Sequence, residues 1–268
     1  MDHFPTSWGR PRNEAIDAFN TYPLHQRPGH APKTDTFTDG VQRTQQPIVT
    51  GTSILAFHYK DGIIMAADTL ASYGSLARFK TIQRLHPVGA RTVVGASGDM
   101  SDFQYLQNQL DQLTIDEFTE NDGHDLGPAE IHEYLSRVMY GRRSKMNPLW
   151  NAILVGGKKD NGERFLAYVD LLGTTYSAAT IATGYGAHIA IPLLRSAVEG
   201  RENEITEEQA REIMTTCMRV LFYRDARSLD KFQIATVTDA GVNISEPIKL
   251  ETSWNFAENI RGYGAQTQ

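Results

Sequence analysis

The chain has 268 residues, of which 40% are hydrophobic, so it can bury a sizeable core. Its formal net charge of −6 gives no reason to expect a nucleic acid or an anionic membrane as partner, and no apolar run reaches the roughly 20 residues that span a bilayer. A single cysteine, Cys217, excludes an internal disulfide and a multi-cysteine metal site, and the scattered histidines lack ligand spacing, so no metal or cofactor is predicted.

The first 43 residues are predicted to be a leader that is separate from the folded domain. Residues 1–32 contain five of the eleven prolines, mixed with polar residues and lacking any helical or strand periodicity. Strand-like patterns begin only after Pro47, which predicts a boundary near Arg43 and Thr44. Residues 44–51 then form a short extension ahead of the first predicted strand.

The rest of the chain is predicted to alternate between groups of strands and pairs of helices. Apolar and β-branched runs bounded by turn residues indicate strands, and apolar stripes at helical spacing indicate helices. In chain order we predict strands at 52–59, 62–69, 80–86 and 91–97, helices carrying Phe103 to Leu113 and Ile131 to Met139, strands at 153–155, 165–169 and 175–181, helices at 187–199 and 206–222, and strands at 231–238 and 241–246. Thr206 and Gln209 predict a capping box at the start of the last helix.

This order of elements predicts an α+β fold in segregated layers, because an alternating parallel sheet would need a helix after each strand. Two sheets packed face to face, with a helix pair outside each, give a four-layer αββα sandwich over residues 52–250. A tail, residues 251–268, follows the last strand. Its apolar residues predict a contact surface for a neighbouring protein, the alternative being that they fold back on their own chain: Trp254, Phe256, Ile260 and Tyr263.

The junction between Gly51 and Thr52 stands directly before a predicted buried hairpin. A threonine hydroxyl is a poor nucleophile unless a base removes its proton. The free α-amine of an N-terminal threonine, with a pKa of about 8, can act as that base. Activity at Thr52 would therefore require cleavage after Gly51.

Several motifs carry a resemblance to a known family. They are Gly51-Thr52, Asp68, Gly95-Ala96-Ser97-Gly98-Asp99, Ala182-Thr183-Gly184-Tyr185-Gly186 and Tyr223-Arg224-Asp225-Ala226-Arg227-Ser228, with longer matches at 44–53, 73–79 and 142–150. Over roughly residues 44–262 the chain resembles the β-type subunits of the eukaryotic core proteasome, which are N-terminal-nucleophile hydrolases with an αββα sandwich. It is most similar to a non-catalytic member. The resemblance implies α and β subunits as partners in a hetero-oligomeric particle of stacked rings, located in the cytoplasm and nucleus.

The resemblance also assigns the positions of the active site. Thr52 matches the nucleophile and Asp68 the first aspartate, while the later aspartate and serine are Asp225 and Ser228. Two positions depart from the active pattern, since Arg84 stands where active members have lysine and Tyr185 where they have serine. Arginine is larger and always protonated, so we expect Arg84 to bind Asp68, and we expect Tyr185 to fill the pocket.

Leader cleavage is implied to stop before Thr44, which leaves residues 44–51 attached. The Thr52 nitrogen is then an amide, and general-base assistance worth roughly 10²–10⁴ in rate is lost. The chain is therefore interpreted as a non-catalytic architectural subunit that supports ubiquitin-dependent degradation. The alternatives are an active threonine endopeptidase that uses Thr52 after cleavage at Gly51, and a free-standing binding protein that keeps the fold.

Two groups of these residues also have a purely structural interpretation. Asp225 and Ser228 lie in a helix-terminal segment, where aspartate and serine often act as capping groups. The basic run of Arg142 and Arg143, close to Trp150, is either a solvated helix end or a contact with another subunit. The sequence alone leaves these alternatives open.

Overall fold

A computed structural model describes residues 46–120 and 122–255 of the chain. In chain order its elements are β1 (Val49–Gly51), β2 (Ile54–Tyr59), β3 (Gly62–Asp68), β4 (Ala71–Tyr73), β5 (Leu76–Phe79), β6 (Leu85–Val88), β7 (Thr92–Asp99), α1 (Met100–Glu120), α2 (Pro128–Ser144), β8 (Asn151–Lys158), β9 (Arg164–Val169), β10 (Thr175–Ser177), β11 (Thr180–Ala182), α3 (Gly186–Val198), α4 (Glu207–Arg224), β12 (Lys231–Thr238), β13 (Gly241–Ile244) and β14 (Ile248–Lys249).

The strands form two antiparallel sheets. The first sheet has the order β10-β9-β8-β7-β1-β4-β5, with β6 also paired to β7. The second has the order β11-β2-β3-β12-β13, with β14 also paired to β12. Their inner faces meet in an apolar layer that includes Ile54, Met65 and Leu154, all fully buried.

A helix pair covers the outer face of each sheet. Phe103 and Leu135 place α1 and α2 on the first sheet, while Leu194 and Met214 place α3 and α4 on the second. The predicted four-layer αββα sandwich is therefore confirmed. Cys217 is a buried member of the α4 core, where burial raises the pKa of its thiol to about 12.

The capping box at the start of α4 is present as predicted. The Gln209 N–H donates to Thr206 Oγ1 at 3.5 Å, and the Thr206 N–H donates to Gln209 Oε1 at 3.0 Å. These two bonds satisfy backbone donors that the first turn of a helix leaves without intrahelical partners. The end of this helix, and the turn that follows it, carry Asp225 and Ser228 toward the site described below.

Two of the predicted strands differ from the structure. The strand predicted at 80–86 begins only at Leu85, and the preceding Arg84 is buried. The strand predicted at 175–181 is two strands, since β10 pairs with β9 in the first sheet and β11 pairs with β2 in the second. Alternation of apolar residues does not indicate a change of partner sheet.

No helix within residues 46–120 and 122–255 is long and apolar enough to cross a membrane. In the same residues, no group of three or more His, Cys, Asp or Glu side chains is arranged to hold a metal ion.

Candidate functional site

Arg84 and Asp68 form a buried ion pair at the centre of the candidate site. Asp68 ends β3 and Arg84 precedes β6, and their side chains are 1% and 0% exposed. Arg84 Nη1 donates to Asp68 Oδ1, as expected from the sequence. The other carboxylate oxygen, Oδ2, accepts the Leu229 N–H at 3.0 Å.

Opposing effects act on the ionisation of this pair. Burial raises the pKa of Asp68 to about 6, while the Arg84 charge and the Leu229 N–H lower it. Burial also lowers the pKa of Arg84, and the Asp68 charge opposes that shift. The Arg84 guanidinium and the Leu229 N–H both donate to Asp68, which favours its carboxylate form and makes the pair ionic.

Both terminal nitrogens of the Arg84 guanidinium also bind backbone carbonyls, whereas Nε is buried without a hydrogen-bond partner among the described residues. Nη2 donates to the Thr52 carbonyl and to Ala96 O at 3.4 Å, and Nη1 also donates to Ser53 O at 3.3 Å. The planar fork of arginine suits several acceptors at once, whereas a lysine ammonium is a compact point charge. Arg84 thus links the backbone of Thr52 and Ser53 to β7.

The Thr52 hydroxyl is directed to a different partner. Its Oγ1 donates to Asp225 Oδ2, and Asp225 is the residue directly after α4. The same aspartate accepts the Arg227 N–H at 2.9 Å through Oδ1, and Ser228 Oγ donates to the Asp225 carbonyl at 2.7 Å. Asp225 and Ser228 therefore also stabilise the turn after α4, as the capping interpretation predicts.

The residues before Thr52 form an inner strand of the first sheet. Strand β1 pairs on one side with β4, with Thr50 opposite Ser72, and on the other with β7, with Gly51 opposite Gly98. The sequence prediction treated these residues only as an extension. In the structure they bridge β4 and β7, so the backbone enters Thr52 from within the sheet.

Gly51 packs directly against the guanidinium of Arg84. A Cβ at this position would overlap Arg84 Nε and Cζ. We expect Gly51→Ala to displace Arg84 and to lower the free energy of unfolding by about 1–3 kcal/mol, as overpacking of a filled core does. Urea unfolding measures the change.

Gly141→Ala in α2 is the matched control, because a Cβ there meets no atom within 4 Å. It is expected to leave the protein as stable as before or slightly more stable, since alanine favours a helix over glycine. Equal effects of the two substitutions would contradict the packing of Gly51 on Arg84.

An open cleft of about 550 Å³ lies beside the junction, lined by residues that include Thr52, Trp150, Tyr185, His188 and Arg227. The prediction that Tyr185 fills the pocket is wrong. Tyr185 is the residue before α3, and its side chain is 60% exposed on the cleft wall.

The segment that carries Tyr185 packs on the residue after the threonine. The Gly186 N–H donates to Ser53 Oγ at 2.8 Å, and the Ile54 N–H donates to Thr183 Oγ1 at 3.0 Å. A Cβ at Gly186 would lie 3.0 Å from Leu55 Cδ2. The glycine therefore allows close approach of α3 to β2, a contact that the sequence motif did not specify.

The described residues that were predicted to contact another subunit make contacts within their own chain. Arg142 and Arg143 lie over tyrosine rings of their own chain, and the half-buried Trp150 donates its backbone N–H to Asp102 at 2.8 Å. The Trp254 ring packs edge-on against Tyr223, with 5.0 Å between ring centroids. Contact with another subunit stays a prediction for these residues.

Five further residues that the sequence analysis predicted as cleavage or contact positions lie outside the described part of the chain: Arg43, Thr44, Phe256, Ile260 and Tyr263.

Comparison with known proteins agrees with this fold and site. A family model described as "Proteasome subunit" matches residues 48–237. The chain is 50% identical over 240 residues to "Proteasome subunit beta type-4" of Xenopus laevis, covering 90% of this chain and 95% of that protein. It is 48% identical over 275 residues to "Proteasome subunit beta type-7" of Saccharomyces cerevisiae, covering 99% of each. The chain belongs to the proteasome subunit family.

Proposed function

We propose that the chain is a non-catalytic β-type subunit of the core proteasome. Its role is architectural, in that it occupies a place in the β ring and positions neighbouring threonine-protease subunits for ubiquitin-dependent degradation. Relatives named as β type-4 and β type-7 subunits, matched over almost their full length, support this assignment. Its partners are other α and β subunits, and the proposed location is the cytoplasm and nucleus.

The observation that carries the non-catalytic role is the inner position of β1. Pairing of Val49–Gly51 with strands on both sides favours retention of this segment, to which the Thr52 nitrogen is bonded. An amide nitrogen has no basicity useful for proton abstraction. General-base catalysis, worth roughly 10²–10⁴ in rate, is unavailable to the hydroxyl while that bond persists.

Arg84 supports the same proposal. In an active site of this type, a lysine ammonium lowers the proton affinity of the threonine hydroxyl. Arg84 instead bonds to Asp68 and to backbone carbonyls, and the Thr52 hydroxyl bonds to Asp225. The Thr52 hydroxyl therefore faces a carboxylate where an active threonine would use its free α-amine as the base. Model carboxylic acids have pKa values near 4 and α-amines near 8, so the carboxylate is the weaker base.

The second candidate function is a threonine endopeptidase that cleaves itself after Gly51. The open cleft beside Thr52 and the hydrogen bond of its hydroxyl favour this candidate. In that case the residues of β1 would leave the sheet, and the slot between β4 and β7 would accept an extended peptide by strand addition. This activity would require cleavage of the Gly51–Thr52 bond, and Arg84 would have to take the role that lysine has in active members.

Size-exclusion chromatography of the native protein tests the architectural role. The full-length gene product is expected to elute with a particle of several hundred kilodaltons that contains other subunits of the family. Elution as a stable monomer would reject the proposal and favour a free-standing binding protein. Mass spectrometry of the eluted particle identifies the partner subunits.

A further inference from the structure

A small pocket lies between the last turns of α1, the turn after β6 and the loop that leads into α2. It has a volume of about 190 Å³, and its wall combines carboxylates with one exposed phenyl ring. We call it the acidic–aromatic pocket and define it by Val88, Glu117, Phe118, His124, Asp125 and Leu126.

The pocket lies at the end of the sandwich that is remote from Thr52. Gly98, near the end of β7, pairs with Gly51, whereas Thr92 at the start of β7 pairs with Val88. At roughly 3.3 Å per residue, the strand between these two pairs is about 20 Å long. A partner that binds in the pocket therefore leaves the cleft beside Thr52 uncovered.

Phe118 is the most exposed large apolar side chain among the described residues, at 85%. Ile115 precedes it by one turn on the same helix face and is also exposed. The core contacts of α1 come from other positions, such as Phe103 and Leu110, so the core gives no reason for these two side chains. Neighbouring apolar side chains in water beside a pocket are typical of a binding surface.

The stretch of chain that forms most of the pocket wall is strongly acidic. Residues 92–136 contain ten Asp or Glu residues and no Lys or Arg. Asp116, Glu117 and Glu120 lie toward the end of α1, and no basic residue lies in its last turn. The negative end of the helix dipole disfavours carboxylates there, so helix stability does not explain them.

Asp125 supplies the unpaired carboxylate of the pocket. Glu117 is bonded to the His124 ring, and this bond raises the pKa of His124. The Asp122 carboxylate accepts the His124 backbone N–H at 2.9 Å. Within the part of the chain that the structure describes, Asp125 forms no hydrogen bond and no ion pair. The pocket thus presents a carboxylate without a counter-charge beside an exposed aromatic ring.

We propose that the acidic–aromatic pocket binds an arginine side chain of a basic protein segment. The guanidinium lies over the Phe118 ring and bonds to the Asp125 carboxylate, while its aliphatic stem packs on Val88 and Leu126. Arginine suits the pocket better than lysine, because its planar cation stacks on aromatic faces and meets a carboxylate through two parallel hydrogen bonds. The surrounding carboxylates steer a basic partner toward the pocket.

The arginine belongs to a protein outside the core particle, and this step rests on the proposed function. The chain positions catalytic neighbours, and its own family site is at the Thr52 end. The pocket is at the opposite end and is therefore turned away from that chemistry. Its role is to recruit a protein to the assembled particle.

Photo-cross-linking in cells identifies the partner. A benzophenone amino acid replaces Phe118 of the full chain, in cells in which this is the sole copy. The exposure of Phe118 means that the larger ring displaces no core residue. After irradiation, particles are purified and the peptide joined to residue 118 is sequenced. The expected product is an arginine-containing segment of net positive charge from a protein that is not an α or β subunit.

Charge removal supplies a matched pair of variants in the same background. Asp125→Asn is expected to lower the cross-link yield at least about fivefold, because a charge-assisted hydrogen bond becomes a neutral one. Glu133→Gln removes one negative charge outside the pocket, where Glu133 pairs with Arg137 of its own chain. It is expected to leave the yield unchanged.

A synthetic copy of the captured segment separates recognition of arginine from attraction by charge. Purified particles with the natural Phe118 are titrated with the labelled peptide and with versions in which arginine is replaced by lysine or by citrulline, its neutral isostere. Citrulline is expected to weaken binding at least about tenfold, and lysine less than that. With Phe118→Leu the arginine and lysine peptides are expected to bind equally, because the ring that favours the planar cation is gone.

The remaining outcomes also decide the proposal. It is overturned if particles form normally but residue 118 cross-links to a subunit of the particle, to a segment without arginine or to nothing. Equal yields for Asp125→Asn and Glu133→Gln would overturn it as well, and so would citrulline or lysine peptides that bind as tightly as the arginine peptide. Failure of the unmodified chain to enter any particle would instead reject the proposed function, and with it the assignment of the arginine to a protein outside the core particle.

Discussion

Arg84→Met is expected to lower the free energy of unfolding by about 3–5 kcal/mol, the largest effect on stability that the structure predicts. The substitution removes one partner of a fully buried ion pair and leaves the Asp68 carboxylate without a counter-charge. It also leaves the carbonyls of Thr52 and Ser53 without their donor. Chemical denaturation of the purified chain measures the loss.

Two further variants control for this interpretation. Arg91→Met removes an ion pair with Asp160 in which the side chains are 31% and 79% exposed, and it should cost less than about 1 kcal/mol. The double variant Arg84→Met with Asp68→Leu should recover much of the loss, because no buried charge is then unpaired. If Arg84→Met and Arg91→Met cost the same, the central role of the buried pair is refuted.

The second large effect concerns reactivity rather than stability. An electrophilic peptide probe that labels catalytic threonine subunits is expected to leave Thr52 unmodified in the same particles. Loss of general-base assistance alone lowers the rate by roughly 10²–10⁴. Tandem mass spectrometry of the probe-treated particle identifies which subunits are labelled, so the catalytic neighbours serve as internal positive controls.

Arg84→Lys separates the two features that we propose keep Thr52 unreactive. The variant restores the side chain found in active members but leaves the Gly51–Thr52 amide bond in place. We therefore expect no labelling of Thr52 in this variant either. Covalent labelling at Thr52 while Gly51 stays attached would show that the amide does not prevent catalysis.

The layered fold could be predicted from the sequence because strands and helices occur in segregated groups along the chain. Apolar stripes such as Phe103 to Leu113 fix which helix face is buried, and the Thr206 and Gln209 pair fixes a helix start. The Arg84 and Asp68 pair could be predicted because both positions were known from the family resemblance. A large cation beside a buried carboxylate has few alternatives to pairing with it.

Other features depend on tertiary contacts that a linear pattern does not contain. Strand β1 has three residues and β4 also has three, too few for alternation to indicate a sheet. The inner position of β1 follows from pairing with β7, about fifty residues later. The outward direction of Tyr185 depends on where α3 begins, and residue type alone suggested only bulk in the pocket.

The N-terminal sequence of the mature chain from purified particles tests the central claim most directly. The claim is that Thr52 keeps its peptide bond to Gly51, with β1 held between β4 and β7. Edman degradation or terminal peptide mapping is predicted to find Thr44 as the first residue. A mature chain that begins at Thr52 would contradict the account.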